Sequence, residues 1–168
     1  KSAAEIASMA RIARADGKEI KVLLVEETGA GSDCPFSGEK LSPVLALYRA
    51  ADFNEALDTV RAIYAYQGAG HSVGIHTRTD DRPLQIGLDL PTCRVIVNQA
   101  HCFATGGSFD NALPFSLSMG CGSWGGNSIS ENLNYRHYLN IVRVVSKTPL
   151  REVFPEDLLN GYWSRYGK

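Results

Sequence analysis

The chain has 168 residues, 44% of them hydrophobic and 21% charged, with a formal net charge of −1. That length suits one domain with a real core, and the composition excludes a disordered chain. Lysines and arginines are scattered singly, which argues against a nucleic-acid or anionic-membrane partner, and no apolar run approaches the roughly 20 residues of a membrane-spanning helix. Residues 3–15 are alanine-rich, with Ile6, Met9 and Ile12, and predict a helix stopped at Asp16-Gly17. Val22-Leu23-Leu24-Val25 is a short continuous apolar run, the pattern of a strand covered on both faces. A Gly/Ser/Pro-rich loop over 28–38 leads to a second buried strand, Val44 to Tyr48. Asp52 caps the clearest helix, with Glu55 three residues on. Phe53, Ala56, Leu57, Val60, Ile63 and Tyr64 form its apolar stripe, and Gly68 ends it.

Val73-Gly74-Ile75-His76 and Arg94-Val95-Ile96-Val97 read as the third and fourth strands, with a short helix between Asp80 and Leu90. From Ala104 to Gly126 six of 23 residues are glycine, so a long ordered loop is expected there. Asn140 to Ser146 alternates and is rich in β-branched residues, the pattern of a strand. Strands alternating with helices predict an α/β fold with a mostly parallel sheet, without internal repeat or domain boundary.

Cys34, Cys93, Cys102 and Cys121 contain no C-x-x-C pair and read as free thiols of a reducing, cytoplasmic compartment. No signal-peptide pattern opens the chain, and Lys1-Ser2-Ala3-Ala4 lacks an initiator Met, as a fragment would. His71, His76, His101 and His137 show no metal-ligand spacing, so no metal is expected. Gly68 to Gly74 looks like a phosphate loop, but that motif follows a strand and opens a helix, whereas this one does the reverse. His71, between glycines at that turn, is the histidine most open to a chemical role. Glu39 stands in the loop before the second strand. In the plain reading it is a solvated carboxylate, yet ligand sites of α/β sheets gather where loops meet strand ends. Cys102 and Cys121 lie in loop-like surroundings without an activating neighbour in sequence.

Several stretches taken together go further: Glu39-Lys40-Leu41-Ser42-Pro43-Val44, Gly70-His71-Ser72, Thr92-Cys93-Arg94-Val95-Ile96-Val97-Asn98, and above all Gly120-Cys121-Gly122-Ser123-Trp124-Gly125-Gly126-Asn127-Ser128. In this order and spacing the chain resembles the coenzyme-A-acylating aldehyde dehydrogenases over about residues 18–145. Gln99 to Phe109 departs from the bifunctional aldehyde–alcohol enzymes and is closer to the dehydrogenases of sulfoacetaldehyde. The resemblance implies a three-layer catalytic domain and an aldehyde as substrate. It also implies NAD or NADP as cofactor, coenzyme A as co-substrate, and a thioester on a cysteine. It implies too that residues 1–168 are the C-terminal portion of that domain, with the nucleophilic cysteine and the cofactor domain upstream. The chain alone is then inactive. Glu39 matches the carboxylate that receives the nicotinamide ribose hydroxyls, and His71 a histidine near the reacting centre suited to relaying a proton. Cys93 and Cys121 match positions that are not the nucleophile. The segment 140–146 matches a strand that extends a neighbouring subunit's sheet, so a homo-oligomer is expected. A hydrolytic aldehyde dehydrogenase and a non-catalytic oligomerising remnant are the alternatives.

Overall fold

The computed structural model describes residues 1–14 and 16–168. Two units are distinct, Lys1–His137 and Tyr138–Lys168. The first opens with helix α1 (Ala3–Met9), where the Ser2 and Glu5 side chains cap each other's backbone. The expected helix over 3–15 is shorter than its alanine content suggests, because Arg11 takes a left-handed backbone with φ +57° and ends the run. The last position of that expectation lies outside the described residues.

Strands β1 (Leu23–Glu26) and β2 (Val44–Leu47) pair in parallel, Leu23 opposite Val44. Neither is covered on both faces: Leu24 and Leu45 stand exposed, so these apolar runs lack the burial expected of them. Helix α2 (Phe53–Tyr66) begins where the sequence places it, the Asp52 carboxylate accepting the Glu55 N–H at 2.9 Å. The Glu55 carboxylate reaches past the cap and accepts the Ala51 N–H instead.

Strand β3 (Gly70–Ile75), helix α3 (Asp81–Asp89) and strand β4 (Thr92–Val97) form a parallel βαβ unit, with Gly70 opposite Thr92. Pro83 is tolerated because it lies in the first turn of α3, where backbone N–H groups have no helical partner anyway. Leu57, Ile86 and Leu90 form the buried cluster, with Phe53, Val60, Tyr64, Val73, Ile75 and Val95 packed around it. Removing those side chains from water, at roughly 25 cal/mol per Å² of apolar surface, is what holds α2 and α3 on one face of β3–β4. The parallel strands expected from the sequence are thus present as two separate pairs among the described residues, β1–β2 and β3–β4.

Alternation sends Thr92, Arg94 and Ile96 to the opposite face of β4, where all three are buried. The long loop that follows includes one helical turn, α4 (His101–Ala104). Further on, Ser118 to Leu133 doubles back on itself: Gly120 N–H donates to Glu131 O, Gly122 N–H to Ile129 O and Leu133 N–H to Ser118 O.

The second unit carries helix α5 (Pro155–Tyr166), whose Asp157 carboxylate accepts the Phe154 N–H. The expected strand at 140–146 has no ladder here. Ile141, Val142, Val144 and Val145 are exposed, because β-structure requires a neighbouring strand and this stretch has none among the described residues. No helix among the described residues is long and apolar enough to cross a membrane.

Candidate functional site

Glu39 and His71, singled out by sequence, both lie next to the end of α2, Glu39 through a bond to Gln67 and His71 at the start of β3. Glu39 follows a 3₁₀ turn at Pro35–Ser37, and its backbone N–H donates to Gln67 Oε1 at 2.8 Å. Lys40 ties the same turn together by donating to Phe36 O and Gly38 O. A side chain at Gly38 would lie 2.6 Å from Gln67 Oε1, so glycine there permits the close approach of the α2 terminus. The Glu39 backbone is therefore fixed from two sides, while its carboxylate is exposed and makes no hydrogen bond or ion pair among the described residues.

Four residues beyond Gln67 comes His71. Its N–H donates to Gly68 O, and its carbonyl accepts the Thr92 hydroxyl at 3.1 Å, which locks its backbone to both strands. The His71 imidazole is free in solvent. Its site lies on strand rather than loop, because β3 begins at Gly70 and not at Val73 as the sequence pattern suggests. The phosphate-loop reading of Gly68–Gly74 finds no support: most of that stretch is extended and hydrogen-bonded into the sheet. Both Glu39 and His71 lie at the amino side of their strands, opposite to the carboxyl ends where α/β sheets usually bind ligands.

The glycine-rich segment packs against the start of β3. Gly70 has φ +84°, and a Cβ on it would fall 2.0 Å from Cys121 O. Cys121 donates its N–H to Asn127 Oδ1, and Gly122 at φ +61° brings its backbone against Cys93 Sγ. Burial pushes the Cys93 thiol up, with Cys121 adding to the rise and Arg94 opposing it, and the Tyr64 phenol beside them is raised chiefly by burial too. A raised thiol is a poorer nucleophile, in keeping with a packing role for Cys93. Cys34 is raised as well, by desolvation and then by Glu27. Cys102 is exposed on α4, and its thiol makes no hydrogen bond to a base among the described residues. No group of three or more metal-ligating side chains occurs among the described residues.

Two features were not apparent in the sequence. Arg94, only 6% exposed, donates from Nε to Asn132 Oδ1 and from Nη2 to Gly120 O. Asn132, fully buried, donates in turn to Thr105 O and Pro114 O. One guanidinium and one amide thus fasten the long loop to β4. The second is His101, whose Nε2 lies 2.8 Å from Ser72 Oγ on the face of β3 opposite the helices. Burial lowers its pKa and favours the neutral ring. A Cβ at Gly74 would approach His101 Nδ1 to 2.7 Å, so only glycine admits the ring there.

No protein-family model matches the chain. It is 59% identical over 169 residues to the sulfoacetaldehyde dehydrogenase (acylating) of Cupriavidus necator, covering 99% of this chain and 34% of that protein. It is 42% identical over 144 residues to the succinate-semialdehyde dehydrogenase (acetylating) of Clostridium kluyveri, covering 86% of this chain and 31% of that protein. Among solved structures, an acetylating aldehyde dehydrogenase from Geobacillus thermoglucosidasius superposes with a TM-score of 0.75 at 34% identity, over 90% of this chain and 33% of its own. A probable aldehyde dehydrogenase from Listeria monocytogenes does so at 0.79 and 32%, over 94% of this chain and 33% of its own. The chain spans about a third of the length of these relatives. In sequence and in fold the chain is thus similar to about a third of an acylating aldehyde dehydrogenase.

Proposed function

We propose that residues 1–168 are the C-terminal portion of the catalytic domain of an aldehyde dehydrogenase that releases its product to coenzyme A. The overall reaction joins an aldehyde, coenzyme A thiol and NAD(P)⁺ to give an acyl-coenzyme-A thioester, NAD(P)H and a proton. The nucleophilic cysteine is supplied by the segment that precedes this portion in the whole enzyme. Sulfoacetaldehyde is the substrate most in keeping with the 59% identity to the Cupriavidus necator protein, and that identity over nearly the whole chain is the observation that carries the reading. Four free thiols fit a reducing cytoplasmic compartment.

Glu39 and His71 fit these roles. An unpaired, exposed carboxylate on a fixed backbone is suited to a sugar diol, so Glu39 would receive the hydroxyls of the nicotinamide ribose. The nicotinamide, when bound, supplies the hydride acceptor. His71, solvent-facing on a locked strand, would relay the proton between the reacting centre and water. Assembly would proceed through the stretch 140–146, rich in exposed β-branched side chains and unpaired among the described residues, adding a strand to a second subunit.

The test is to assay the enzyme that contains this chain with sulfoacetaldehyde, NAD⁺ or NADP⁺, and coenzyme A. Formation of the coenzyme A thioester, with turnover dependent on coenzyme A, is expected. Equal turnover to the free acid without coenzyme A would instead identify a hydrolytic enzyme.

A further inference from the structure

At the far end of β3 and β4 from Glu39 and His71 lies a groove of about 670 Å³, lined by His76, Thr77, Arg78, Thr79, Arg82 and Asn98. Its floor is rigid. Asn98 adopts φ +53°, Thr77 N–H donates to Asn98 Oδ1 at 2.8 Å, and Asn98 Nδ2 donates back to Thr77 O at 2.9 Å. The Arg82 guanidinium is set in place over the Phe53 ring at 4.9 Å. Neither arginine forms an ion pair among the described residues, although Asp80 and Asp81 lie beside them in the chain. No carboxylate lines the groove. Two free guanidinium groups, an imidazole and two threonine hydroxyls converge on one space at the carboxyl ends of parallel strands, a common position for ligands.

We propose that this groove binds a tetrahedral oxyanion, of the phosphate or sulfate type. Five residues of extended chain separate His71 from His76, about 17 Å at the usual strand rise. A two-carbon aldehyde cannot span that interval, so its sulfonate is not the occupant while the aldehyde reacts near His71. The anion is therefore either a free inorganic ion or the phosphate of an elongated co-substrate such as coenzyme A. Only the co-substrate source, and the exclusion of the aldehyde, rest on the function proposed above.

The test uses the enzyme containing this chain and its R78Q/R82Q variant, both positions being exposed and outside the buried cluster. Inorganic phosphate and sulfate are titrated by calorimetry, with K18Q/K21Q as a control that removes the same charge elsewhere. Binding by the parent, weakened about tenfold or more in R78Q/R82Q and retained in K18Q/K21Q, is expected for two lost charge-assisted contacts. Steady-state KM for coenzyme A and for 3′-dephospho-coenzyme A then separates the sources. A rise confined to coenzyme A assigns its 3′-phosphate to the groove. Unchanged values beside the loss of phosphate binding assign a free ion. The proposal is overturned if the parent binds neither ion, or if R78Q/R82Q binds as tightly as the parent. Failure of coenzyme-A-dependent turnover would count against the function alone, since the calorimetric titrations need no activity.

Discussion

Arg94 and Asn132 stand 38 residues apart in the chain and meet in its interior, Nε donating to Oδ1 at 2.9 Å. Because the amide also donates to Thr105 O and Pro114 O, a single side chain satisfies groups from three parts of the loop and strand. Asn132→Ala would leave a buried guanidinium nitrogen and two carbonyls unpaired. A loss of about 2–5 kcal/mol in unfolding free energy is expected by denaturant titration. Arg94→Lys should fall in the same range, since an ammonium cannot hold the fork geometry that reaches both Asn132 and Gly120. A loss below about 0.5 kcal/mol for both would show that the loop is held elsewhere.

Gly70 and Gly74 permit two different close approaches on one strand. Gly70→Ala collides with backbone, at Cys121 O, and also forces alanine into φ +84°, so a cost of about 2–4 kcal/mol is expected. Gly74→Ala meets only the His101 ring, which can swing away, so the loss should be smaller. The NMR signature of the Ser72–His101 contact should vanish in Gly74→Ala. Equal destabilisation by the two would refute the distinction between backbone and side-chain obstruction.

His101 makes stability depend on pH in a definite direction. Its pKa in the folded chain is lowered by burial from the ordinary 6.5, so the unfolded chain takes up the proton first as pH falls. Its neutral form costs nothing above 6.5, and acidification below that value favours unfolding. Measured between pH 7.5 and pH 5, roughly the range around an ordinary histidine, His101→Gln should show a shallower fall in stability than the parent. Parallel curves would mean that other groups carry the acid sensitivity.

Glu39 and His71 should separate kinetically in the whole enzyme. Glu39→Gln keeps the shape and removes the charge, and should weaken cofactor use by about ten- to a hundredfold with little change in the KM for aldehyde. His71→Asn should lower turnover and flatten its pH dependence near neutrality while cofactor binding is nearly intact. If Glu39→Gln uses the cofactor as the parent does, Glu39 is a loop carboxylate and no more.

The exposed stretch 140–146 should behave as an assembly element. Val142→Asp and Val144→Asp each replace an exposed apolar side chain with a charge, on either side of Arg143. In the whole enzyme they are expected to shift the oligomer towards smaller species in analytical ultracentrifugation without unfolding the subunit. An unchanged sedimentation profile would remove this segment from the interface.

Local chemistry made much of this protein legible in its sequence. The Asp52 cap, the apolar stripe of α2 and the helix between Asp80 and Leu90 are set by neighbours a few residues away, and they stand where the pattern puts them. The quoted Gly-Cys-Gly-Ser-Trp-Gly-Gly run was equally readable, because a tight turn packed on Gly70 tolerates few other residues. Burial of β1 and β2 was not readable, since apolar content fixes what a strand would bury and not whether anything covers it. The 140–146 segment forms no ladder among the described residues for a related reason: β-structure needs a partner edge, which no local pattern encodes. The Arg94–Asn132 clasp, the Ser72–His101 contact and the hydrogen bond from Glu39 N–H to Gln67 at the end of α2 each join residues more than 25 apart. Only the tertiary fold decides such pairs, because the hydrogen bond forms between groups that packing, not chain sequence, makes neighbours.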